Sequence, residues 1–298
     1  MRYWMTVACA LMATLALPGC NRDKQVLPDT MLPDTASNDA PLPSYPHLIA
    51  RYNHTAEQLS PIRADARVDL VWRNEKGQIK NEHGDGRFMY IKPRRVVLEV
   101  EEFGKGFWAG ADGERYWFFD FLEQRVGYVG RFDRLDGTHT NNLPLPVNPA
   151  DLLHVMGLAK IDPTVIPDAP AVERVKGHYL IEPPGLALRM LLDPETARPV
   201  RVDLLDEEGS SRVICLLKDP IPVQPRDDDD PFMGNIESAI DVVMPANDAR
   251  MTLTLKKPTH SDKHIREAYF DFDKLYKALK IKELIDLDEP VVNPAPAQ

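Results

Sequence analysis

Apolar and charged residues alternate over residues 62–72: Ala64, Ala66, Val68, Leu70 and Trp72 share one face, and Arg63, Asp65, Arg67 and Asp69 share the other. A period of two with one charged side predicts an antiparallel strand that is wet on one face and covered on the other. The theme thickens downstream. Within residues 105–131 aromatic and β-branched residues crowd three segments, FWAG, RYWFFDF and RVGYVG, separated by connectors carrying Gly, Asp or Glu-Gln. That pattern predicts a β-meander. With VDLVW, GRFMYI and RRVVLEV before it, the meander amounts to about six consecutive antiparallel strands. Glu75-Lys76-Gly77-Gln78 and Gly84-Asp85-Gly86 are expected to interrupt it, because clustered Gly and polar residues favour turns.

The second half repeats the strand pattern more weakly. Residues 177–182, 186–192, 199–206, 212–217 and 250–257 are candidate strands, with turns at Asp193-Pro194-Glu195-Thr196 and Glu207-Glu208-Gly209-Ser210. Residues 219–248 contain five prolines and the run Asp227-Asp228-Asp229-Asp230, and read as an acidic, Pro-rich insertion. Helical spacing occurs at Leu48, Ile49, Tyr52, Ala56 and Leu59, which predicts an amphipathic helix. A second helix is expected over ADLLHVMGL, with Asn148 as N-cap and Pro149 at the first helical position. Residues 270–287 predict a short terminal helix, and 288–298 a proline-rich disordered tail. No linker divides residues 47–287, so one domain is expected.

The N-terminus carries an address. Arg2 precedes an uncharged apolar run over residues 3–17, too short to span a bilayer comfortably, which takes about 20 apolar residues. It stops at Leu17-Pro18-Gly19-Cys20. A basic start, a short apolar core and small residues at the cut predict an export signal over residues 1–19. Leu-Pro-Gly-Cys resembles the lipobox of bacterial lipoproteins. The resemblance implies that Cys20 becomes the first mature residue and is acylated on sulfur and amine, a palmitate-type membrane anchor. Asn21, where aspartate would imply inner-membrane retention, implies delivery to the outer membrane, facing the periplasm. Residues 20–46 are rich in Pro, Asp, Ser, Thr and Asn, and Leu27-Pro28-Asp29-Thr30 recurs as Leu32-Pro33-Asp34-Thr35. Such a segment cannot build a core. It reads as a tether with an r.m.s. span of roughly 25 to 30 Å.

Of three cysteines, Cys9 leaves with the signal and Cys20 takes lipid, so Cys215 has no intramolecular disulfide partner and no thiolate metal cluster can form. Its strand-like surroundings predict a buried small hydrophobe. The formal net charge of −10 repels nucleic acid and anionic head groups, so no nucleic-acid partner is expected and membrane attachment falls to the lipid. No GxSxG elbow, HExxH motif or phosphate-binding glycine loop is present. His260 and His264 are four apart but follow Pro258 and lack a third ligand in sequence; His154 lies in the second predicted helix. No catalytic residue, metal or cofactor is assigned, and a non-enzymatic protein is expected.

A long antiparallel sheet with one very apolar face, an inserted helix between two runs of strands, and an acylated N-terminus together resemble the LolA/LolB-like fold. The resemblance covers most of residues 46–257, especially Trp108-Ala109-Gly110-Ala111-Asp112-Gly113 followed by Tyr116-Trp117-Phe118-Phe119. It implies a mainly β (α+β) protein: an unclosed antiparallel β-barrel capped by a few helices, with a concave apolar cavity for acyl chains of lipoproteins or lipids. Val68, Leu70, Trp72, Phe88, Tyr90, Leu98, Phe107, Phe118 and Tyr128 are the expected lining. Each buried acyl CH₂ would contribute about 0.8 kcal/mol. Alternatively the same side chains close on one another as a solid core. The protein would then be a structural lipoprotein that docks an envelope partner through its acidic loop and tether.

Overall fold

The structure, a computed structural model, describes residues 41–73, 78–102, 105–121, 125–134, 147–163, 170–225, 234–246, 249–260 and 265–288. Two meanders build one sheet. The first comprises β1 (Ile62–Arg73), β2 (Ile79–Ile91), β3 (Arg95–Glu102), β4 (Lys105–Asp112), β5 (Arg115–Asp120) and β6 (Val126–Arg131). The second comprises β7 (Glu173–Val175), β8 (His178–Ile181), β9 (Leu188–Leu192), β10 (Pro199–Leu205), β11 (Ser211–Pro222), β12 (Asn235–Met244) and β13 (Ala249–His260). They join where β13 pairs antiparallel with β1, Ala66 opposite Leu255 and Val68 opposite Leu253. A final strand, β14 (Glu283–Asp286), lies parallel beside β6. The fourteen strands form a single sheet with β14 at one edge and β7 at the other. The mainly β architecture expected from the strand pattern, and the unclosed sheet that the resemblance implied, are found, antiparallel throughout except for β14.

The sheet curls around two of its helices. α1 (Tyr45–Gln58) buries Tyr45, Leu48, Ile49, Tyr52 and Ala56 on one stripe. α2 (Pro149–Val155) begins as its sequence requires: the Asn148 side chain accepts from the Asp151 amide at 2.7 Å, and Pro149 occupies the first turn. α2 touches β3, β4 and β5 on one side and β10 on the other. Those strands are far apart in the sheet order, so the sheet bends into a half-barrel with α2 inside. The segment after α2 is pinned to both partners: the Tyr52 hydroxyl donates to Ala159 O at 2.9 Å, Tyr90 to Leu158 O at 3.0 Å, and Asn53 Nδ2 to Ile161 O at 2.8 Å. Burial pushes both tyrosine hydroxyls up, so they remain proton donors.

Three expectations are corrected. Gly84-Asp85-Gly86 does not break the meander but lies inside β2. A Cβ on Gly86 would sit 1.8 Å from the Glu99 carbonyl oxygen, so this glycine allows close strand approach at a bend. Residues 219–248 are not chiefly a loop: β11 extends to Pro222, and β12 brings Ile236, Ile240 and Val242 into the core. Asp227 to Asp230 lie outside the described residues. The terminal segment is not one helix; it holds α3 (Phe272–Ala278) and then β14.

That C-terminal segment covers the convex face. Met89, Val97, Trp108, Trp117 and Phe119 point outward from β2 to β5 and pack against Ile265, Phe270, Phe272, Leu275 and Ile281. The Phe272 ring meets Trp117 at 5.7 Å and Phe119 at 5.5 Å between centroids, with the Arg115 guanidinium 4.5 Å over it. Phe272→Ala is expected to cost about 3 kcal/mol through lost burial and a cavity, a fall of roughly 6–12 °C in Tm for a domain of this size. Thermal melts should show the loss, while exposed Lys277→Ala should change little; equal melting of Phe272→Ala and the parent would mean that the strap does not contribute to the core.

Candidate functional site

The concave face is one apolar cluster spanning both meanders. Its rows follow the register: Ala64 faces Phe88, Phe88 faces Leu98, Leu98 faces Ala109, Ala109 faces Phe118, and Phe118 faces Tyr128. The C-terminal ends of β1, β3, β5, β8, β10 and β12 lie at one rim; we call it the upper rim. The β2–β3 and β9–β10 turns, and the residues joining α1 to β1, lie at the lower rim.

The nine residues expected to line a cavity fall into two groups. Val68, Phe88, Tyr90, Leu98 and Phe118 are buried among the protein's own side chains, Phe88 completely and Phe118 at 6% exposure. Leu70, Phe107 and Tyr128 are half-buried against that cluster, and Trp72 is half-buried further along β1. Phe107 stacks on Phe118 with centroids 5.4 Å apart. Leu70, Trp72 and Phe107 lie toward the upper rim, joined there by half-buried Leu186 and Met244. The structure thus brings all nine onto one face and leaves the rim group in partial contact with solvent.

Polar groups guard the same mouth. Asp151, in the first turn of α2, receives the Arg212 guanidinium at 3.0 Å and the Asn148 amide at 2.8 Å. Burial pushes the Asp151 carboxyl up, against the downward pull of Arg212 and Asn148. Arg212 Nε is buried without a hydrogen-bond partner. At the lower rim, Arg198 and Glu237 form a buried ion pair at 2.5 Å beside α1. Cys215 is fully buried, and burial pushes its thiol up, which makes it an inert core residue, as its surroundings in sequence implied. No group of three or more His, Cys, Asp or Glu able to hold a metal occurs among the described residues. Cys20 and His264 lie outside them.

The two best-formed depressions among the described residues are not lined by the concave row. One, at the inner face of α1 beside Met156 and Pro199, is too small for a water molecule. The other, about 330 Å³, lies between the outer face of α1 and the β9–β10 turn, lined by His47, Arg51, His54, Thr55, Glu195 and Thr196. Sequence reading missed this groove. The 47, 51, 54, 55 stripe is visible in the helix, but the turn that faces it is more than 140 residues away.

No family model and no curated protein matches the chain. Solved structures do. A DUF1329 family protein from Desulfovibrio piger shares 10% identity over 78% of this chain and 100% of that one, with a TM-score of 0.51. A LolA superfamily protein from Nitrosomonas europaea shares 10% identity over 78% of this chain and 99% of that one, with a TM-score of 0.48. A domain proposed to be an outer membrane lipoprotein-sorting protein, from Vibrio parahaemolyticus, shares 10% identity over 76% and 97%, with a TM-score of 0.48. At such identities the likeness to the Desulfovibrio protein is one of fold.

His154 supplies a test of the packed interior. Its Nδ1 is buried without a partner, and burial together with nearby Arg94 pushes the imidazole down from 6.5 to about 4. A folded-state value below the unfolded one means that the unfolded chain takes up the extra proton between these limits, so stability falls as pH drops through that window. At about 1.4 kcal/mol per unit the ceiling is roughly 3 kcal/mol, reduced because part of the residue reaches solvent. Melting curves between about pH 7 and 4.5 should fall more steeply in the parent than in His154→Gln, which has no such proton to gain. Equal slopes would assign the acid sensitivity to other groups.

Proposed function

We propose that this chain is a lipid-anchored protein of the bacterial cell envelope, attached through Cys20 to the outer membrane and facing the periplasm, that binds or transfers an acylated ligand without catalysis. The observation that carries the reading is the upper rim. Toward the upper rim the apolar concave face passes from fully buried residues to the partly buried Leu70, Trp72, Phe107, Leu186 and Met244. A hydrocarbon chain laid against these residues gains about 0.8 kcal/mol for each CH₂ removed from water, so a handful of methylenes gives useful affinity. The buried set, Val68, Phe88, Tyr90, Leu98 and Phe118, would then be the wall behind the seat. The LolA/LolB resemblance points the same way.

One observation favours a second reading. The interior beneath α1 and α2 is filled by the chain's own residues, which suits a structural lipoprotein that docks an envelope partner and carries no ligand. Residues 226–233 include the four aspartates, and the residues flanking them are joined by the Val223 amide donating to Gly234 O at 3.0 Å. That closure makes 226–233, and not the whole of 219–248, the segment to delete.

Native mass spectrometry of the purified protein is expected to find co-purifying lipid, and Trp72→Ala with Phe107→Ala should weaken a fluorescent fatty acid by about tenfold, the equivalent of roughly two methylenes of contact. Repeated recovery of an empty protein that binds no fatty acid would remove the carrier reading. Loss of a cross-linked partner on deleting 226–233, with fatty-acid binding absent throughout, would establish the docking reading instead. For the anchor, Cys20→Ala should abolish incorporation of labelled palmitate and release the protein from membranes; palmitate retained by that variant would refute acylation at this site.

A further inference from the structure

We infer that the groove between α1 and the β9–β10 turn is a binding site for a phosphate ester of a small polyol. It is an open surface groove offering about 330 Å³ of space, room for a phosphate ester with one side left in solvent. It does not depend on an acyl chain in the half-barrel, because it lies on the outer face of α1.

The charge pattern makes the case. In this acidic chain, of net charge −10, about half of the described arginines are matched with carboxylates, among them Arg67 with Asp69, Arg95 with Glu267, Arg115 with Asp112, Arg189 with Glu182, Arg198 with Glu237 and Arg201 with Asp203. Arg51 is held differently. Its Nη2 donates to the carbonyl oxygens of Pro194, at 3.2 Å, and Glu195. No carboxylate lies within ion-pair distance of it among the described residues. Two neutral carbonyls fix the guanidinium in position and leave its charge and remaining N–H groups uncommitted. A pre-positioned guanidinium with free donors is suited to a phosphate group.

The turn that holds it is itself fixed. Asp193 Oδ1 accepts from the Glu195 amide at 3.0 Å, the Thr196 amide at 2.8 Å and the Thr196 hydroxyl at 2.9 Å, so Asp193 is occupied by the turn and does not neutralise Arg51. Imidazoles flank the guanidinium on the helix, His47 four residues before it and His54 three after. Gln58 Nε2 lies 3.1 Å from His54 Nε2. The His54 ring adds a further polar group to the helix wall of the groove. Glu195 lines the same groove, and its carboxylate can accept from a hydroxyl. Donors for phosphate and an acceptor for hydroxyls in one groove select a polyol ester over bare phosphate. Such a group could come from the glycerol head of an anionic phospholipid or from a free ester such as glycerol phosphate.

Titration calorimetry on the purified full chain, kept in non-ionic detergent, separates these cases with three probes: inorganic phosphate, glycerol 3-phosphate and short-chain dihexanoylphosphatidylglycerol. Glycerol 3-phosphate is expected to bind more tightly than inorganic phosphate, and Arg51→Gln to weaken it by about tenfold, as removal of one charge-assisted contact does. Glu195→Gln should abolish the preference for the polyol ester. Should Arg51→Gln fail to fold, the double variant His47→Gln/His54→Gln, at two exposed positions, is expected to weaken binding severalfold. Tighter binding of the phospholipid than of glycerol 3-phosphate would identify a membrane head group as the ligand; equal binding would identify the free ester. No heat from any probe up to about 10 mM, where useful affinity ends, would overturn the assignment. So would binding that Arg51→Gln leaves within about twofold.

Discussion

An open sheet cannot cover its own concave face, and that constraint organises this protein. The two meanders bring Ile62, Ala64, Ala66, Val68, Leu253 and Leu255 to one side at the β1–β13 seam, and burying each large side chain there is worth about 1.5–3 kcal/mol. The cover comes from α1 and the 147–161 segment, which are fixed less by their own helical propensity than by the face they bury. α2 is only seven residues long, too short to be stable alone; its N-cap, its apolar stripe and the hydrogen bonds from Tyr52 and Tyr90 to the residues after it make it persist. Outside, the same sheet would expose Trp108, Trp117 and Phe119, and the C-terminal segment answers that need before closing the β6 edge as β14.

Edges and charges follow from the same arrangement. β14 pairs parallel with β6 and shields one free strand of the sheet, and the opposite edge is reduced to the three-residue β7, a short stub that offers little for another chain to pair with. Charged residues gather on the wet faces, where ion pairs such as Arg67–Asp69 contribute little. The buried Arg198–Glu237 pair differs. Breaking it would leave a charge without compensation, so it constrains how the β9–β10 turn and β12 meet below α1.

Much of this was legible in the chain. Alternation gave β1, and aromatic and β-branched density gave β5 and β6, to within about a residue; only the middle of β4 and most of β3 were marked, and Asn148-Pro149 marked the start of α2. What escaped did so for physical reasons. β12, residues 235–244, alternates Ile236, Ser238, Ile240, Val242 and Met244, but prolines and aspartates before it dominated the composition of that stretch. Gly84-Asp85-Gly86 looks like a turn to any local reading, whereas its role is set by the approach of β3, a partner seen only in three dimensions. The partly buried residues Leu70, Trp72, Phe107 and Tyr128 were readable as apolar, but not which of the nine would remain partly exposed, since that depends on how the helices cover the sheet. The Arg51 groove was invisible because half of it comes from a distant turn.

Where an acyl chain would sit can be weighed by magnitudes. α2 and its extension fill the interior with Leu152, Leu153, Val155 and Met156, each nearly or fully buried, together worth about 6–12 kcal/mol at the usual burial energies. A sixteen-carbon chain has at most about 12 kcal/mol to offer at about 0.8 kcal/mol per CH₂. Replacing the helix by the chain is therefore close to an even exchange, before the loss of the Asp151–Arg212 and Tyr90–Leu158 contacts is counted against it. Laying the chain along the upper rim sacrifices none of those contacts and removes apolar surface already in contact with water. For such a chain the rim would be the seat the energetics favour, and deeper penetration would require more than the burial of hydrocarbon.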